Sequence, residues 1–168
     1  MRRVEGLSLI ELVMVIVILG ILAAFIGPIL FNAMRSYDTG QNAMVTQAKL
    51  RYAMERVSRE LREVRRQTND ATFADITAMG ATSITFFKTD GTQVVLSAAG
   101  NQLNLSYPSA TGVLTDQLGS FSLAYFQQDA ITVAGSNASI AFIQVSMALS
   151  DGTNLLSARV RVDLKNPQ

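Results

Sequence analysis

The sequence contains neither cysteine nor histidine among its 168 residues. Without cysteine the chain cannot form a disulfide, so its stability must come from packing even in an oxidising compartment. Without cysteine and histidine it cannot build a Ser-His-Asp or Cys-His nucleophile, nor a zinc site that needs these ligands. It also has no glycine-rich phosphate-binding loop. These absences argue against an enzyme, and we expect no catalytic residue, no metal and no cofactor.

The sequence also lacks an excess of either charge. Its 14 basic and 13 acidic side chains give a formal net charge of only +1. Such a balance argues against strong electrostatic binding of nucleic acid. The acidic side chains after residue 67 are scattered aspartates, most of them in predicted turns, where Asp favours local backbone bonding. Asp90-Gly91 and Asp151-Gly152 could supply oxygen to calcium, but neither has the alternating acidic spacing of a dedicated loop.

A long apolar run near the start of the chain predicts a membrane helix. No charged residue occurs from Leu12 to Met34, and a helix of that length reaches ~35 Å, against roughly 30 Å for the hydrocarbon core of a bilayer. Arg2 and Arg3 precede the run, as expected for a cytoplasmic flank. The run is too long for a secretory signal, and no clean cleavage site of small residues follows it.

The residues before this run carry a family resemblance. Gly6-Leu7-Ser8-Leu9-Ile10-Glu11 resembles the class III signal of type IV pilins and type II secretion pseudopilins, which is glycine, an apolar residue, Thr or Ser, Leu, a second apolar residue and glutamate. The sequence departs from the usual pattern in having Leu7 where phenylalanine is common. Gly20 and Pro28 stand where pilins carry their helix-weakening glycine and proline.

The resemblance implies a processing and assembly route. A prepilin peptidase is expected to cut between Gly6 and Leu7 on the cytoplasmic side and to methylate the new amine of Leu7. The chain is then expected in the bacterial inner membrane with its C-terminal domain in the periplasm, and later in a pilus. The implied partners are the peptidase, inner-membrane lipid, the pilus assembly platform and other pilin subunits, with Glu11 finding the Leu7 amine of a neighbour.

Glu11 and Pro28 also have simpler interpretations. Ser8-x-x-Glu11 matches a capping box, which satisfies free amides at a helix start in any protein. An ionised group at the edge of a membrane is costly unless it is paired, so a role in assembly and a role in capping both remain open. Pro28 could be a plain kink, because prolines are tolerated in membrane helices.

A basic stretch follows the apolar run. Residues 49–66 hold seven basic and three acidic side chains, which suggests either a solvated helix or a docking face for an acidic neighbour. The apolar residues at 50, 54, 57, 61 and 64 form one helical stripe, which favours an amphipathic helix packed on a sheet. The i,i+4 pairs Glu55–Arg59, Arg56–Glu60 and Arg59–Glu63 are expected on its solvated side. Gly40 is a candidate bend between the two halves of the helix.

After residue 68 the apolar period becomes two, which predicts antiparallel strands. Asp90-Gly91 predicts a hairpin, and a second clear hairpin turns at residues 150–154. The predicted strands are Ser83–Lys88, Gln93–Ser97, Gln102–Tyr107, Phe121–Phe126, Ala130–Ala134, Ser139–Leu149 and Leu156–Leu164. A long helix followed by an antiparallel sheet is an α+β fold, the pilin-like architecture. The predicted segments are a leader at 1–6, a transmembrane polymerisation helix at 7–34, an amphipathic extension at 35–68 and a β domain at 69–168.

Three functions compete at this point. The chain could be a pilin-like subunit, a non-polymerising bitopic membrane protein with a periplasmic binding domain, or a membrane-anchored enzyme. The pilin-like interpretation explains Gly6, Glu11, Pro28 and the helical extension together, and the enzyme has no catalytic group. Residues 59–64 and 159–163 are similar to minor subunits of MSHA-type pili, a class linked to adhesion, and also to J-type pseudopilins of type II secretion. The sequence does not choose between adhesion, motility, DNA uptake and secretion.

Overall fold

The computed structural model describes residues 8–66 and 74–164, and within them it has one long helix and two antiparallel sheets. This is the predicted α+β fold. The helix α1 covers Leu9–Arg62 and therefore ends before residue 68. The strands are β1 (Ile76–Met79), β2 (Ser83–Phe87), β3 (Gln93–Ala99), β4 (Gln102–Tyr107), β5 (Ala110–Thr115), β6 (Leu118–Phe126), β7 (Phe142–Ser150) and β8 (Leu155–Asp163).

The chain divides by its contacts into two units, Met1–Asn42 and Ala43–Gln168. In the first unit, the described residues form the N-terminal part of α1, which contains the apolar run. The second unit contains the rest of α1 and both sheets. The boundary lies just after Gly40, although α1 is continuous through that residue.

Each sheet of the second unit is a simple meander. One has the order β1-β2-β3-β4-β5 and the other β6-β7-β8, with every neighbouring pair antiparallel. The predicted Asp-Gly turn joins β2 to β3, and the turn at residues 150–154 joins β7 to β8. Gly91 and Gly152 have φ of 83° and 91°, a backbone conformation that glycine adopts without steric penalty.

The predicted apolar stripe of the helix is confirmed. Leu50, Met54, Val57 and Leu61 are buried, and they join side chains of both sheets in a single hydrophobic core. Val64 is buried as well, but it lies beyond the helix and forms an isolated bridge with Lys88. The stripe therefore fixes which face of the helix covers the sheets.

The strand predictions were right for the regular hairpins and wrong in two places. Ser139 was predicted to begin a strand, but it lies in the 3₁₀ turn Asn137–Ser139, and β7 begins only at Phe142. Residues 130–134 were predicted as a strand, but they form a turn with one bridge between Val133 and Phe126. The reason is Asp129, whose carboxylate accepts the amide protons of Ile131 and Thr132 at 3.0 and 2.9 Å and so bends the backbone. The sequence prediction also missed β1 and β5, which are short, rich in small or polar residues and largely exposed.

Candidate functional site

The predicted cleavage and methylation site, Gly6 and Leu7, lies outside the described residues. The described residues begin at Ser8, immediately before the helix. Of the site residues predicted from sequence, Glu11, Gly20 and Pro28 all lie in α1.

Ser8 caps the start of the helix. Its hydroxyl oxygen accepts a hydrogen bond from the Glu11 amide at 3.3 Å, and its carbonyl oxygen accepts from the amides of Glu11 and Leu12 at 3.1 and 3.2 Å. These bonds satisfy amides that a helix start would otherwise leave without partners. One half of the predicted capping box is therefore present.

The other half of the box is not formed. Within the described part of the chain the Glu11 carboxylate makes no hydrogen bond to the Ser8 amide and no ion pair. Its position in the first turn still lets the positive end of the helix dipole favour its charge. The local structure thus uses the backbone of Glu11 and leaves its carboxylate available for a partner.

The apolar part of α1 is exposed on every side. An 18-residue window of the helix has a mean hydropathy of 3.0 with none of it buried, and the large apolar side chains from Leu9 to Met34 are all solvent-exposed. A helix that is apolar all round needs either lipid or other protein around it. Among the described residues, α1 is the one helix that is both long enough and apolar enough to cross a membrane.

Gly20 and Pro28 both lie inside the continuous helix. Pro28 has no amide proton, so it removes one backbone hydrogen bond from the helix. Gly20 has free space around it, because no atom outside its own helix turn would lie within 4 Å of an added Cβ. The helix-weakening role of these two residues stays a prediction.

Polar side chains return at the end of the apolar run. The guanidinium of Arg35 lies 4.8 Å from the centre of the Phe31 ring, a cation–π geometry. Two residues further on, the Tyr37 hydroxyl accepts a hydrogen bond from Gln41 at 2.7 Å. Aromatic and basic side chains of this kind are typical of the ends of membrane helices.

A second cluster of functional groups surrounds Glu60 in the last turns of α1. Glu60 was predicted on a solvated face, but this was wrong, because only 2% of its surface is exposed. Its Oε1 lies 2.8 Å from Arg56, as the i,i+4 spacing predicted, and its Oε2 lies 3.4 Å from Lys88 Nζ. The second contact is an ion pair without hydrogen-bond geometry, since Oε2 has no hydrogen-bond partner among the described groups.

Two further residues complete this cluster. Lys88 pairs with Glu63 at 2.6 Å, and this hydrogen bond raises the pKa of Lys88. Arg56 also donates to the Tyr107 hydroxyl at 2.8 Å, while burial raises the pKa of Tyr107. Two cations and two carboxylates therefore balance one another where the helix meets β2 and β4. This cluster ties the helix to the sheet.

The remaining pairs on the helix are only partly as predicted. Arg59 bonds exposed Glu55 at 3.0 Å, which confirms that i,i+4 pair. The predicted Arg59–Glu63 pair is replaced by the contact of Glu63 with Lys88. Lys88 lies far away in sequence, so helical spacing alone could not reveal it.

The two Asp-Gly turns use their carboxylates locally. Asp90 accepts the Thr92 amide at 2.8 Å, and Asp151 accepts the amides of Thr153 and Asn154 at 2.8 and 2.6 Å. These bonds lower the pKa of both aspartates. Across residues 8–66 and 74–164 no group of three or more carboxylates could hold a metal ion.

Comparison with known families gives one match. Residues 1–27 match the prokaryotic N-terminal methylation motif. No curated protein matches the sequence significantly. The motif covers the predicted Gly6–Leu7 junction, Ser8, Glu11 and Gly20, and it continues into the exposed apolar helix. The match supports a type IV pilin-like precursor that prepilin peptidase processes, with one apolar N-terminal helix suited to anchoring in the inner membrane.

Proposed function

We propose that this chain is a minor subunit of a type IV pilus-like filament. It enters the inner membrane through residues 7–34 and places its C-terminal domain in the periplasm. The peptidase cuts after Gly6 and methylates Leu7, and the mature chain then joins or primes a filament with other pilin subunits at the assembly platform.

The observation that carries this proposal is the combination at the start of α1. A methylation motif leads directly into a helix whose apolar side chains are exposed on every side, and the one carboxylate of that segment has no ion pair among the described residues. A plain membrane anchor needs the exposed apolar surface alone. A polymerising subunit needs all three features.

Glu11 is the proposed contact between subunits. An ionised carboxylate at the edge of a bilayer is penalised unless a cation compensates it. Cleavage creates such a cation at the Leu7 amine. If the amine of an incoming subunit meets Glu11 of a subunit already in the filament, both charges are neutralised and the axial register of the two helices is set.

The choice of a minor pilin of the MSHA type is supported by the likeness of residues 59–64 and 159–163 to such subunits. The same segments resemble J-type pseudopilins, so a secretion pseudopilus is the second candidate. The genes beside this one would separate the two, because pilus and secretion operons encode different companion proteins.

Intact-mass measurement on membrane-extracted protein tests the processing step. The expected product begins at Leu7 with a methylated amine, and a strain without prepilin peptidase should retain Met1. A mature start after Ala24, or an uncut chain in cells with active peptidase, would refute the proposal. A correctly processed chain that never appears in sheared filaments would instead support the non-polymerising membrane protein.

A further inference from the structure

The loop between β6 and β7 presents two apolar side chains to solvent. Within this loop, residues 127–141, Ile131 is 81% exposed and Val133 is 68% exposed. Among the described residues of the second unit, Ile131 is the most exposed of the large apolar side chains. Single exposed apolar residues are ordinary on a protein surface, but these two lie close together on one loop. They form an apolar knob that no described part of the chain covers.

Hydrogen bonds hold this knob in a fixed position. The Asp129 carboxylate accepts the amide protons of Ile131 and Thr132. The Arg161 guanidinium donates to the Ala130 carbonyl at 2.9 Å. Ala130 has a φ of 60°, a left-handed conformation that is unfavourable for a residue with a Cβ. Strain of this kind persists only where the surrounding structure enforces it, and it is common at binding sites. Because the knob is already ordered, it loses little conformational entropy when it binds a partner.

An apolar groove lies elsewhere on the same unit. It runs between α1 and β8 and consists of two adjoining hollows of about 390 and 370 Å³ that share Met54 and Glu55. Both elements contribute apolar side chains to its lining: Leu50, Met54, Leu156, Ala158 and Val160. The three from β8 are only half-buried. None of the described residues that line either hollow belongs to the loop at 127–141, so the knob and the groove are separate surfaces.

The charges of the knob and the groove are complementary. Three basic side chains and one acidic side chain line the groove: Arg51, Arg59, Arg62 and Glu55. Glu55 is bonded to Arg59, whereas Arg51 and Arg62 have no ion pair among the described residues. Residues 127–141 contain a single charged side chain, Asp129. Hydrogen bonds, that of the Thr132 hydroxyl foremost, lower the pKa of Asp129 and keep it ionised beside the knob.

Because one chain carries both a knob and a groove, a second copy is the partner that fits. When a patch on one copy fits a pocket elsewhere on the next, each contact leaves one knob and one groove free. The contact can then repeat along a row of copies, which suits a filament subunit. It is also small, since two side chains and one carboxylate bury far less than the roughly 1,200 Å² of a stable interface. Such a contact forms only where another interaction already holds copies at high effective concentration, and it leaves the isolated second unit monomeric.

We propose that Ile131 and Val133 of one copy enter the groove between α1 and β8 of a neighbouring copy, with Asp129 beside the two unpaired arginines of that groove. The inference rests on the proposed function, because the filament supplies the high effective concentration. It adds a contact between the C-terminal domains to the contact proposed for Glu11 in the helix. It also requires copies of this chain to stand next to one another in the filament rather than singly among other subunits.

Cross-linking between two introduced cysteines tests this contact. The natural chain has no cysteine, so the introduced thiols are the only ones it carries. Cells co-express two full-length chains with different tags, one with Ile131→Cys and the other with Ala158→Cys, and their sheared filaments are treated with a short bismaleimide. We expect a dimer that carries both tags. The control pair combines Ala158→Cys with Val113→Cys, at an exposed position of β5, and should give roughly tenfold less dimer, because only a contacting pair gains effective concentration.

The outcomes separate this contact from the proposed function. Filaments that contain both tagged chains but give no more dimer than the control pair would overturn the contact and leave the filament role intact. If the wild-type chain never enters filaments, the proposed function fails, and the contact between copies fails with it.

A substitution on the knob decides the matter if the cysteine variants fail to assemble. Ile131→Lys would bring an ammonium group into an apolar groove lined by arginines, so its incorporation into filaments should fall by roughly tenfold. Val113→Lys makes the same change on β5 and should be incorporated like the wild type. Both side chains are exposed, so both variants should fold, and circular dichroism at matched membrane levels checks this. Equal incorporation of Ile131→Lys, Val113→Lys and the wild type would overturn the proposal.

Discussion

Lys88, just after β2, places its ammonium nitrogen 3.4 Å from Oε2 of Glu60 in the last turns of α1. The contact joins the helix to the five-stranded sheet. Lys88 is also bound to Glu63, and Glu60 to Arg56, so the two carboxylates and two cations form a neutral cluster. Because Glu60 is 2% exposed, its charge depends on these partners rather than on water.

The second unit should fold without the membrane helix. The hydrophobic core contains no residue before Leu50, so deleting residues 1–34 removes none of it. We expect a soluble, folded monomer, because the apolar stripe of the remaining helix already covers the sheets. Size-exclusion chromatography and circular dichroism would show this. Oligomers at micromolar concentration would show that assembly does not depend on the membrane helix.

Removing the ammonium of Lys88 should destabilise that fragment. Lys88→Met leaves Glu60 buried with Arg56 as its remaining ionic partner, and we expect the free energy of unfolding to fall by about 2–3 kcal/mol. The matched control is Arg59→Met, which breaks an exposed pair with Glu55 and should change stability by less than about 1 kcal/mol. Urea unfolding measures both. Equal small losses would show that the Glu60 cluster contributes little.

Alkaline pH should reveal the burial of Tyr125. Its hydroxyl donates to the Gly80 carbonyl at 2.8 Å, and burial raises its pKa from 10.0 to about 12. The unfolded chain therefore loses this proton at lower pH than the folded chain, so the stability linked to Tyr125 is complete below pH 10 and is lost between pH 10 and 12.

Tyr125→Phe separates this effect from general alkaline unfolding. At neutral pH the variant should be less stable by about 1 kcal/mol, because it loses one hydrogen bond. Between pH 10 and 12 its free energy of unfolding should fall less steeply than that of the wild type. Parallel curves for the two proteins over this range would contradict the assignment to Tyr125. Urea titrations at several pH values give the comparison.

Strong local patterns made much of the fold predictable. The apolar run is uninterrupted, so its helix follows from the sequence. The stripe on the second half of the helix and the hairpin of β7 and β8 each have one clear apolar period, so these elements follow as well. β5 has no such signal, because its residues are mostly exposed and include Gly112. The helical spacing of Arg56 and Glu60 predicted their pairing, but not the burial of Glu60. Burial comes from Lys88 and Tyr107, which are brought there by strands distant in sequence.

The same distinction applies to the candidate site. The cap by Ser8 is a contact between near neighbours, and the sequence predicted it. The proposed partner of Glu11 belongs to another chain, so the family resemblance predicts it and the fold of one subunit does not contain it. The register shifts in the pairings of β1 with β2, β4 with β5 and β6 with β7 also went unpredicted, since register depends on the pairing of strands and not on the apolar pattern of one strand.

Glu11→Gln tests whether the carboxylate serves assembly or only the helix start. Glutamine can fill the same place in a capping box, and the observed cap uses the Glu11 amide and the Ser8 hydroxyl, both of which remain in the variant. If capping were the whole role, the variant should assemble normally. If Glu11 receives the Leu7 amine of a neighbour, losing its charge should reduce incorporation by roughly tenfold or more, because a buried cation would lose its partner.

The measurement is the amount of tagged mature protein in sheared filaments at matched membrane levels. Cleavage and membrane insertion should continue in Glu11→Gln, because the Gly6–Leu7 junction and the apolar helix are unchanged. Glu55→Gln removes an equal charge from an exposed helical position and should assemble like the wild type. Ser8→Ala removes the capping hydroxyl and should alter the helix start without removing the carboxylate. Equal incorporation of Glu11→Gln and wild type would leave the assembly role of Glu11 without support, whereas loss in that variant alone would assign the filament contact to its charge.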